Sequence, residues 1–515
     1  QAKEPEKKET DKKKTLPLAP ERKIEFTTDE GTWISLDVSP DGRTIVFELL
    51  GDLYTLPLAG GQARPLTEGM SFDSQPRYSA DGKRIVFLSD REGAENVWTM
   101  AADGSDARAI TKDEKSEFAS PSFTPDGDYV LVSKNPEDAA AFELWMYHVK
   151  GGSGVQVTKA KPKPDTERQK QTNVLGALAS PDGRFFYYAR RTGGFQYNIL
   201  EFPLWQVVRR DRLTGDEDPI TDAPGSGFRP LLSPDGSKLV YGTRHETETG
   251  LRLRDLATGE DRWLHYPVQR DDQESRSTRD LLPGYAFTPD GRVVVAAFDG
   301  RIQRIDVATG KATPIPFTAA VAQDLGPLLD FPSRVDEADV RARLVQGPVQ
   351  SPDGRRLAFS ALTHVYVMDL PRGTPKRLTT GDAREFQPAW SPDGRSIAYV
   401  TWTFEGGQIM KAAVDGRGAP RALTRAPAYY REPVFTPDGT QVVALRGSRR
   451  VRLEREHEWA GLPPGLDVIA VPAEGGEARL IIPTRGASRP HFTNDKERLF
   501  LYSKEGVLSS LRLDG

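Results

Sequence analysis

The tetrapeptide Ser-Pro-Asp-Gly, with Thr or Ala substituted in some copies, recurs along nearly the whole chain. The copies lie about 50 residues apart on average and begin at Ser39, Ser79, Thr124, Ser180, Ser233, Thr288, Ser351, Ser391, Thr436 and, in a decayed form, Thr493. In such a tetrapeptide proline presets φ, aspartate bonds back to the backbone, and glycine accepts a positive φ. Each copy therefore predicts a tight turn, and we assign these Asp and Gly residues to turn chemistry instead of metal binding.

The segments between the turns predict four short strands per copy. An apolar run follows each turn, as in residues 44–47 and 85–88, and a third strand comes next, as in residues 52–56. A second glycine turn, such as Gly60-Gly61, then leads into a short fourth strand. Four strands and two hairpin turns in each copy are typical of one blade of a β-propeller. The predicted fold class is therefore all-β, with four-stranded blades.

The spacing of the copies indicates two propellers in tandem. Successive copies are separated by 40, 45, 56, 53, 55 and 63 residues, and the series restarts with 40 and 45 at Ser351. We expect a six-bladed propeller over residues 24–318, a linker over 319–343, and the first four blades of a second, incomplete propeller over 344–515. A single ten-bladed ring is the less favoured alternative, because propellers usually have four to eight blades.

The two ends of the chain carry signals of their own. Residues 1–23 contain eight basic and five acidic residues and little to bury, which predicts a disordered charged tail. Residues 506–515 predict a third strand and the start of a turn, so the last blade lacks its fourth strand. We expect a fragment of a longer polypeptide, or completion by another chain; pairing with the chain's own N-terminal segment is the alternative.

Composition excludes several classes of function. Seventy basic and 74 acidic residues give a net charge of −4, which excludes the broad basic face of a dedicated nucleic-acid binder. No run of apolar residues is long enough to span a membrane, so we expect no membrane span. The chain has no cysteine, and this excludes disulfides, thiolate nucleophiles and cysteine-ligated zinc.

The sequence lacks the motifs of common catalytic and metal sites. Its six histidines form neither a His-x-His nor a His-Glu-x-x-His pattern, either of which would put two ligands on one metal. It contains no Gly-x-Ser-x-Gly elbow and no glycine-rich phosphate loop. We therefore predict no catalytic, cofactor-binding or metal-binding residue in this chain.

Two long insertions, residues 190–212 and 446–466, interrupt the regular blades. Binding usually takes place on long loops of a rigid scaffold, and interfaces favour aromatic residues and arginine. The insertions supply our candidate residues for contact with another domain or a substrate: Tyr197, Trp205, Arg450, Arg455, His457 and Trp459. The alternative is that these loops simply pack over the blade ends.

The repeats also resemble a known family. Residues 75–91, QPRYSADGKRIVFLSDR, look like the repeat of TolB-type propellers, which occur in TolB, tricorn-like proteases and prolyl oligopeptidases. Residues 29–67, 361–379 and 385–402 are similar to the N-terminal part of large propeller-containing amidohydrolases. In that family tandem propellers precede a metal-dependent amidohydrolase barrel.

This resemblance implies a role and a set of partners. The chain would be the non-catalytic propeller portion of a hydrolase acting on amide or peptide-like C–N bonds, controlling substrate access or assembly with the barrel. The divalent metal, expected to be zinc, would lie in the missing C-terminal amidohydrolase domain or chain, because the His-x-His of the barrel has no counterpart here. The resemblance further implies a periplasmic or secreted protein that forms a homo-oligomer. The alternatives are a TolB-like periplasmic scaffold and the propeller of a prolyl-oligopeptidase or tricorn-like serine protease.

Overall fold

The structure is a computed structural model that describes residues 19–137, 141–161, 163–167, 170–192, 203–274, 279–328, 333–334, 339–454, 465–493, 496–503 and 505–513. The chain divides into two compact units near residue 330, and both are built almost wholly from β-strands. No helix in the described ranges is long and apolar enough to cross a membrane.

Unit 1, which ends near residue 330, contains 27 strands among the described residues. In chain order they are β1 Arg22–Thr28, β2 Leu36–Val38, β3 Thr44–Leu49, β4 Asp52–Pro57, β5 Gly61–Gln62, β6 Arg64–Pro65, β7 Asp73–Tyr78, β8 Arg84–Ser89, β9 Asn96–Ala101, β10 Arg108–Ala109, β11 Glu117–Phe123, β12 Tyr129–Asn135, β13 Glu143–His148, β14 Val155–Gln156, β15 Thr172–Ala179, β16 Phe185–Thr192, β17 Gln206–Asp211, β18 Glu217–Pro219, β19 Phe228–Leu232, β20 Lys238–His245, β21 Glu248–Asp255, β22 Asp261–His265, β23 Ala286–Phe287, β24 Val293–Phe298, β25 Arg301–Asp306, β26 Ala312–Pro314 and β27 Phe317–Leu325.

These strands form six four-stranded antiparallel sheets, which confirms the predicted all-β fold of four-stranded blades. In chain order the sheets are β2-β3-β4-β6, β7-β8-β9-β10, β11-β12-β13-β14, β15-β16-β17-β18, β19-β20-β21-β22 and β23-β24-β25-β26. Within each sheet the strands follow sequence order, as hairpin connections require. The first strands of neighbouring sheets contact one another, so these strands surround the centre of unit 1.

The first and sixth sheets close the ring of unit 1. They share one hydrophobic core, in which Phe47 and Leu56 from the first sheet pack with Val295 and Ile302 from the sixth. The amide of Leu36 also donates to the carbonyl oxygen of Gly284 over 3.0 Å, just before the sixth sheet begins. Because the first and sixth sheets pack against each other, neither is left as an exposed end of the array of sheets.

The repeated turns form as their chemistry predicts. In the nine copies that the structure describes in full, the Ser or Thr hydroxyl donates to the Asp carboxylate two residues later over 2.5–2.7 Å. The glycines of these turns have φ between 68° and 75°. In each copy the hydroxyl bond is the largest cause that lowers the pKa of the turn Asp, as at Asp41 and Asp81.

A seventh, three-stranded sheet of unit 1 crosses the boundaries that the sequence predicted. β1 pairs antiparallel with β27, so that Phe26 lies opposite Val321, and β27 pairs parallel with β5. Residues 22–23 of the predicted tail and 319–325 of the predicted linker are therefore strand. In β27, buried Phe317, Ala319 and Val321 alternate with exposed residues and join the core of the first sheet.

Unit 2 follows the same plan with four sheets. Its elements are β28 Gln346–Gln350, β29 Arg356–Ala361, β30 His364–Asp369, β31 Lys376–Arg377, β32 Arg384–Trp390, β33 Ser396–Trp402, β34 Ile409–Ala413, β35 Arg421–Ala422, β36 Tyr429–Phe435, β37 Gln441–Gly447, α1 Arg449–Glu454, β38 Asp467–Pro472, β39 Arg479–Pro483, β40 Ser488–Phe492, β41 Arg498–Tyr502 and β42 Leu508–Arg512. Three sheets are four-stranded, and the fourth, β40-β41-β42, is three-stranded among the described residues.

Candidate functional site

One residue of each repeat lies at the centre of its unit, four positions before the Ser or Thr that opens the turn. We call these the axial positions: Ser35, Gln75, Ser120, Gly176, Arg229 and Gly284 in unit 1, and Gly347, Gln387, Glu432 and Arg489 in unit 2. Eight of the ten have φ between 51° and 68°, all except Ser35 and Gly284. Each of these eight lies at a β-bulge in the first strand of its sheet. A bulge disrupts the strand ladder locally and re-aims the residue at that position.

Side chains at three axial positions, Gln75, Gln387 and Glu432, each join their sheet to the next one. In unit 1 the amide of Ser120 donates to Gln75 Oε1 over 2.8 Å. In unit 2 the amide of Glu432 donates to Gln387 Oε1 over 2.8 Å, and the amide of Arg489 donates to Glu432 Oε2 over 2.6 Å. A bulge leaves a backbone N–H without its ladder partner, and the axial side chain of the preceding sheet supplies the acceptor.

Asp280 occupies the centre of unit 1 and contacts three sheets. Its carboxylate accepts hydrogen bonds from Ser120 Oγ and from the Arg229 guanidinium, which belong to the third and fifth sheets. A Cβ added at Gly176 in the fourth sheet would lie 2.9 Å from Asp280 Oδ2, so this close approach requires glycine. Asp280 is 3% exposed.

The chain brings Asp280 to the centre on the connection between β22 and β23. Residues 279–285 of this connection form what we call the axial segment. Leu281 and Leu282 pack into the core that includes Phe228, and the Tyr285 hydroxyl donates to the carbonyl oxygen of Arg229. The packing of the two leucines and the hydrogen bond of Tyr285 hold the axial segment in place, and they thereby fix the position of the Asp280 carboxylate.

A second, half-buried ion pair lies beside the first. Arg77 Nη1 is 3.3 Å from Asp37 Oδ1 and also donates to the carbonyl oxygen of Tyr285 over 3.0 Å. Burial raises the pKa of Asp37, although Arg77 opposes this, and burial lowers the pKa of Arg77. Two arginines thus face two aspartates, and the charges at the centre of unit 1 balance.

Glu48 is a proton-binding group next to this centre. It is 8% exposed and accepts the amide of Gln75 over 2.6 Å. Burial raises the pKa of Glu48 from 4.5 to about 7, because desolvation outweighs the hydrogen bonds to the carboxylate. The Ser120 hydroxyl donates to a carboxylate that is already paired with Arg229, so ion pairing and hydrogen bonding between sheets account for the charged groups described at the centre.

Unit 2 carries a different arrangement at the second insertion. The Arg452 guanidinium lies over the rings of Trp402 and Tyr429, at 5.9 and 5.8 Å from their centroids, and the two rings meet edge to face. Arg431 Nη1 donates to the Tyr429 hydroxyl over 3.1 Å. We call Trp402, Tyr429, Arg431 and Arg452 the arginine–aromatic cluster. Cation–π contacts of this kind hold α1 against the second and third sheets of unit 2.

The structure describes two of the six candidate contact residues. Trp205 is fully buried in the core of unit 1, immediately before β17, which corresponds to the packing alternative. Arg450 is exposed on α1 of unit 2. The remaining four, Tyr197, Arg455, His457 and Trp459, lie outside the described residues. Contact of these six residues with a domain or substrate stays a prediction.

The residues at the centre of unit 1 are not among those predicted from the sequence. A signal was present, because polar Gln75, Ser120 and Arg229 stand at one fixed position, four residues before the Ser or Thr of the turn. Asp280 had no such signal, since it lies outside the repeat and meets its partners only in the fold. Nowhere in the described ranges do three or more His, Cys, Asp or Glu residues form a group that could hold a metal ion.

Comparison with known families gives two matches. Residues 25–197 match the tricorn protease N-terminal beta propeller domain, and residues 338–457 match the TolB beta propeller domain. The chain therefore contains propeller domains of the TolB and tricorn N-terminal type, one match in each unit.

Individual relatives match over shorter stretches. The uncharacterized peptidase YuxL of Bacillus subtilis is 26% identical over 190 residues, which are 37% of this chain and 24% of YuxL. The Tol-Pal system protein TolB of Wolinella succinogenes is 28% identical over 138 residues, 25% of this chain and 32% of that protein. The match thus spans a quarter to a third of the length of these relatives. The crystal structure of the tricorn protease aligns with 93% of this chain and 44% of its own, at 14% identity and a TM-score of 0.41.

Proposed function

We propose that this chain is the non-catalytic propeller portion of a hydrolase that cleaves amide or peptide-like C–N bonds, and that this hydrolase is a metal-dependent amidohydrolase. The observation that carries the first part is the match of residues 25–197 to a propeller domain named for a protease. A relative named as a peptidase supports the same class. The amidohydrolase assignment rests on the resemblance of residues 29–67, 361–379 and 385–402 to that family.

The geometry of unit 1 favours a wall or scaffold over a passage. Asp280 and Arg229 form a buried ion pair at its centre, beside the half-buried pair of Asp37 and Arg77, and separating a buried pair costs several kcal/mol. We therefore propose that unit 1 limits access to the catalytic domain by blocking one face, and that it contributes to assembly with that domain.

The catalytic machinery is proposed to lie outside the described residues. These residues provide no group of ligands that fits a divalent metal, so we assign them no metal-dependent step. Zinc, the C-terminal amidohydrolase domain or chain that would hold it, and a homo-oligomer are the cofactor and partners that the resemblance implies. A periplasmic or secreted location belongs to the same proposal.

The test compares this 515-residue chain with the full product of its gene. We expect the chain alone to bind less than about 0.1 zinc ion per molecule, far below the one ion of a structural site. We also expect it to hydrolyse no amide substrate. We expect the full product to hydrolyse amides and to lose this activity with a chelator. Hydrolysis by the 515-residue chain, or a gene that ends at this chain, contradicts the proposal.

A serine hydrolase is the second candidate, favoured by the tricorn protease and peptidase matches. In that case a fluorophosphonate, which reacts with an activated serine, inactivates the full product and a chelator does not. A TolB-like interaction scaffold is the third candidate, favoured by the match of residues 338–457. Absence of hydrolysis from the full product, with retention of a stable protein partner, would support the scaffold.

A further inference from the structure

Strand β1, Arg22–Thr28, forms one edge of the three-stranded sheet in unit 1. Among the described residues it pairs with β27 on one side, and no strand pairs with it on the other. The outermost strands of the six four-stranded sheets have two to five residues, whereas β1 has seven. A long open edge presents a row of backbone N–H and C=O groups with which another strand can pair.

Two features that protect such edges in other proteins are missing from β1. The strand contains no proline, and each of its seven residues faces one residue of β27, so no bulge twists the edge away. Six of the seven residues are exposed, among them the apolar Ile24 and Phe26, at 40% and 43%. This edge is therefore suited to the addition of a further strand.

The charges on β1 restrict which strand can be added. Lys23 Nζ lies 3.9 Å from Glu25 Oε1, and the two side chains are 52% and 72% exposed. An ion pair this exposed contributes less than about 1 kcal/mol, so both groups remain able to pair with an incoming strand. Opposite charges that face each other across two strands stabilise the pair, and like charges destabilise it. A suitable strand therefore carries an acidic and a basic residue two positions apart.

A second copy of β1 meets this requirement. In an antiparallel pair with two-fold symmetry, one residue of each strand faces its own counterpart. With Ile24 in that position, Lys23 of each copy faces Glu25 of the other, and Arg22 faces Phe26, whose ring can accept a cation–π contact. Pairing centred on Lys23 or on Glu25 would place like charges opposite each other.

We propose that this edge is a homodimer interface, in which β1 pairs antiparallel with β1 of a second copy of this chain. A single strand pair buries less surface than a standard interface of about 1,600 Å², so we expect a dissociation constant of about 10 µM. The inference rests on the homo-oligomer of the proposed function and assigns a surface to it. It does not depend on the hydrolase, because dimerisation is measured apart from hydrolysis.

The experiment measures the mass of the 515-residue chain by sedimentation equilibrium. Concentrations from about 1 to 100 µM bracket the expected dissociation constant. Glu25→Lys and Lys23→Glu each place like charges opposite each other in a homodimer, whereas a mixture of the two variants restores opposite charges in every such pair. Lys83→Glu is the matched control, because Lys83 also forms an exposed ion pair with an acid two residues away, at 3.6 Å from Asp81.

We expect the unchanged chain and Lys83→Glu to dimerise equally. Each β1 variant should weaken dimerisation about tenfold, since two cross-strand pairs become repulsive. The equimolar mixture should dimerise as the unchanged chain does. Within the chain Glu25 lies opposite Ala322 but Lys23 lies opposite Asp324, so Glu25→Lys decides the outcome if Lys23→Glu detaches β1 from β27. Unchanged circular dichroism and melting temperature show that a variant is folded.

Three results would overturn the proposal. The first is an unchanged chain that stays monomeric at about 100 µM, whether or not its edge accepts a strand of another protein. The second is a dimer that Glu25→Lys does not weaken, which would leave the homo-oligomer standing on a different surface. The third is an equal loss of dimer in Lys83→Glu, which would show a general effect of charge.

Discussion

Asp280 accepts a hydrogen bond from Ser120 Oγ at the centre of unit 1, although 160 positions separate the two residues in the chain. The same carboxylate is paired with the buried Arg229 guanidinium. One residue of an inter-sheet connection thus links the third and fifth sheets through the centre of the ring. This arrangement makes the energetic importance of Asp280 testable.

Replacing Asp280 with Ala should lower the free energy of unfolding of unit 1 by about 3–5 kcal/mol, because Arg229 would remain buried without its partner. Urea unfolding followed by circular dichroism measures this change. The double variant Asp280→Leu with Arg229→Met should recover a substantial part of the loss, since it removes both charges. A loss below about 1 kcal/mol in Asp280→Ala would show that the pair is dispensable.

Two turn glycines allow the cost of a positive φ to be measured separately from the cost of a steric contact. Gly82 and Gly127 have φ of 70° and 75°, but a Cβ at Gly82 would lie 3.3 Å from Pro40 Cδ, whereas nothing lies within 4 Å at Gly127. Gly127→Ala should cost about 1 kcal/mol from the positive φ alone, and Gly82→Ala should cost more. Urea midpoints measure both. Equal decreases in the stability of the two variants would show that Pro40 can move away from the added Cβ at no cost.

Stability should depend on pH through Glu48. Burial raises the pKa of Glu48 from 4.5 to about 7, so the folded chain binds a proton more tightly than the unfolded chain does. The resulting stability is complete below about pH 4.5 and is lost as pH rises through about 7. Between pH 5 and 8 we expect this group to lower the free energy of unfolding by about 2–3 kcal/mol.

Glu48→Gln should reduce this dependence without abolishing it, because a neutral amide still accepts the Gln75 amide but does not titrate, whereas burial also raises the pKa of Asp52 and of Glu95 to about 7. Urea unfolding at pH 5, 6, 7 and 8 measures the slope for each protein. Asp290→Asn is the control: the hydrogen bond from Thr288 lowers the pKa of Asp290, so that carboxyl titrates below this range. An identical slope in Glu48→Gln and the unchanged chain would refute the assignment.

The arginine–aromatic cluster should hold α1 in place. Arg452→Ala removes the cation from the rings of Trp402 and Tyr429, and we expect the local stability of α1 to fall by about 1 kcal/mol. Amide hydrogen exchange of residues 449–454 measures this change. Arg417→Ala removes an arginine with an 89% exposed side chain in the same unit and should leave the exchange of α1 unchanged. Equal exchange in all three proteins would show that the rings do not anchor α1.

Much of the fold was predictable because the decisive signals are local. A Ser or Thr hydroxyl, a proline, an aspartate and a glycine determine each turn from four consecutive residues, as at Ser39 and Ser351, and the strands follow from apolar runs. The restart of the spacing at Ser351 likewise predicted separate units. These features need no information about distant parts of the chain.

The features that could not be predicted depend on contacts between residues that are distant in the sequence. β1 and β27 pair across about 300 positions of sequence, and their individual patterns resemble a charged tail and a linker. Arg77 and Asp280 carry no such local signal, since nothing near them in the sequence reveals the partners that they meet in the fold. The alternation of Phe317, Ala319 and Val321 with more polar residues is a local signal that indicates a strand.

The core that the first and sixth sheets share has a consequence for how unit 1 loses its structure. In a linear array of repeats, terminal members fray independently because each touches one neighbour only. In unit 1 every sheet has two neighbours, so detaching any one of them exposes apolar surface on both sides. Denaturation of this ring should accordingly be a concerted, all-or-none event with no preferred starting end.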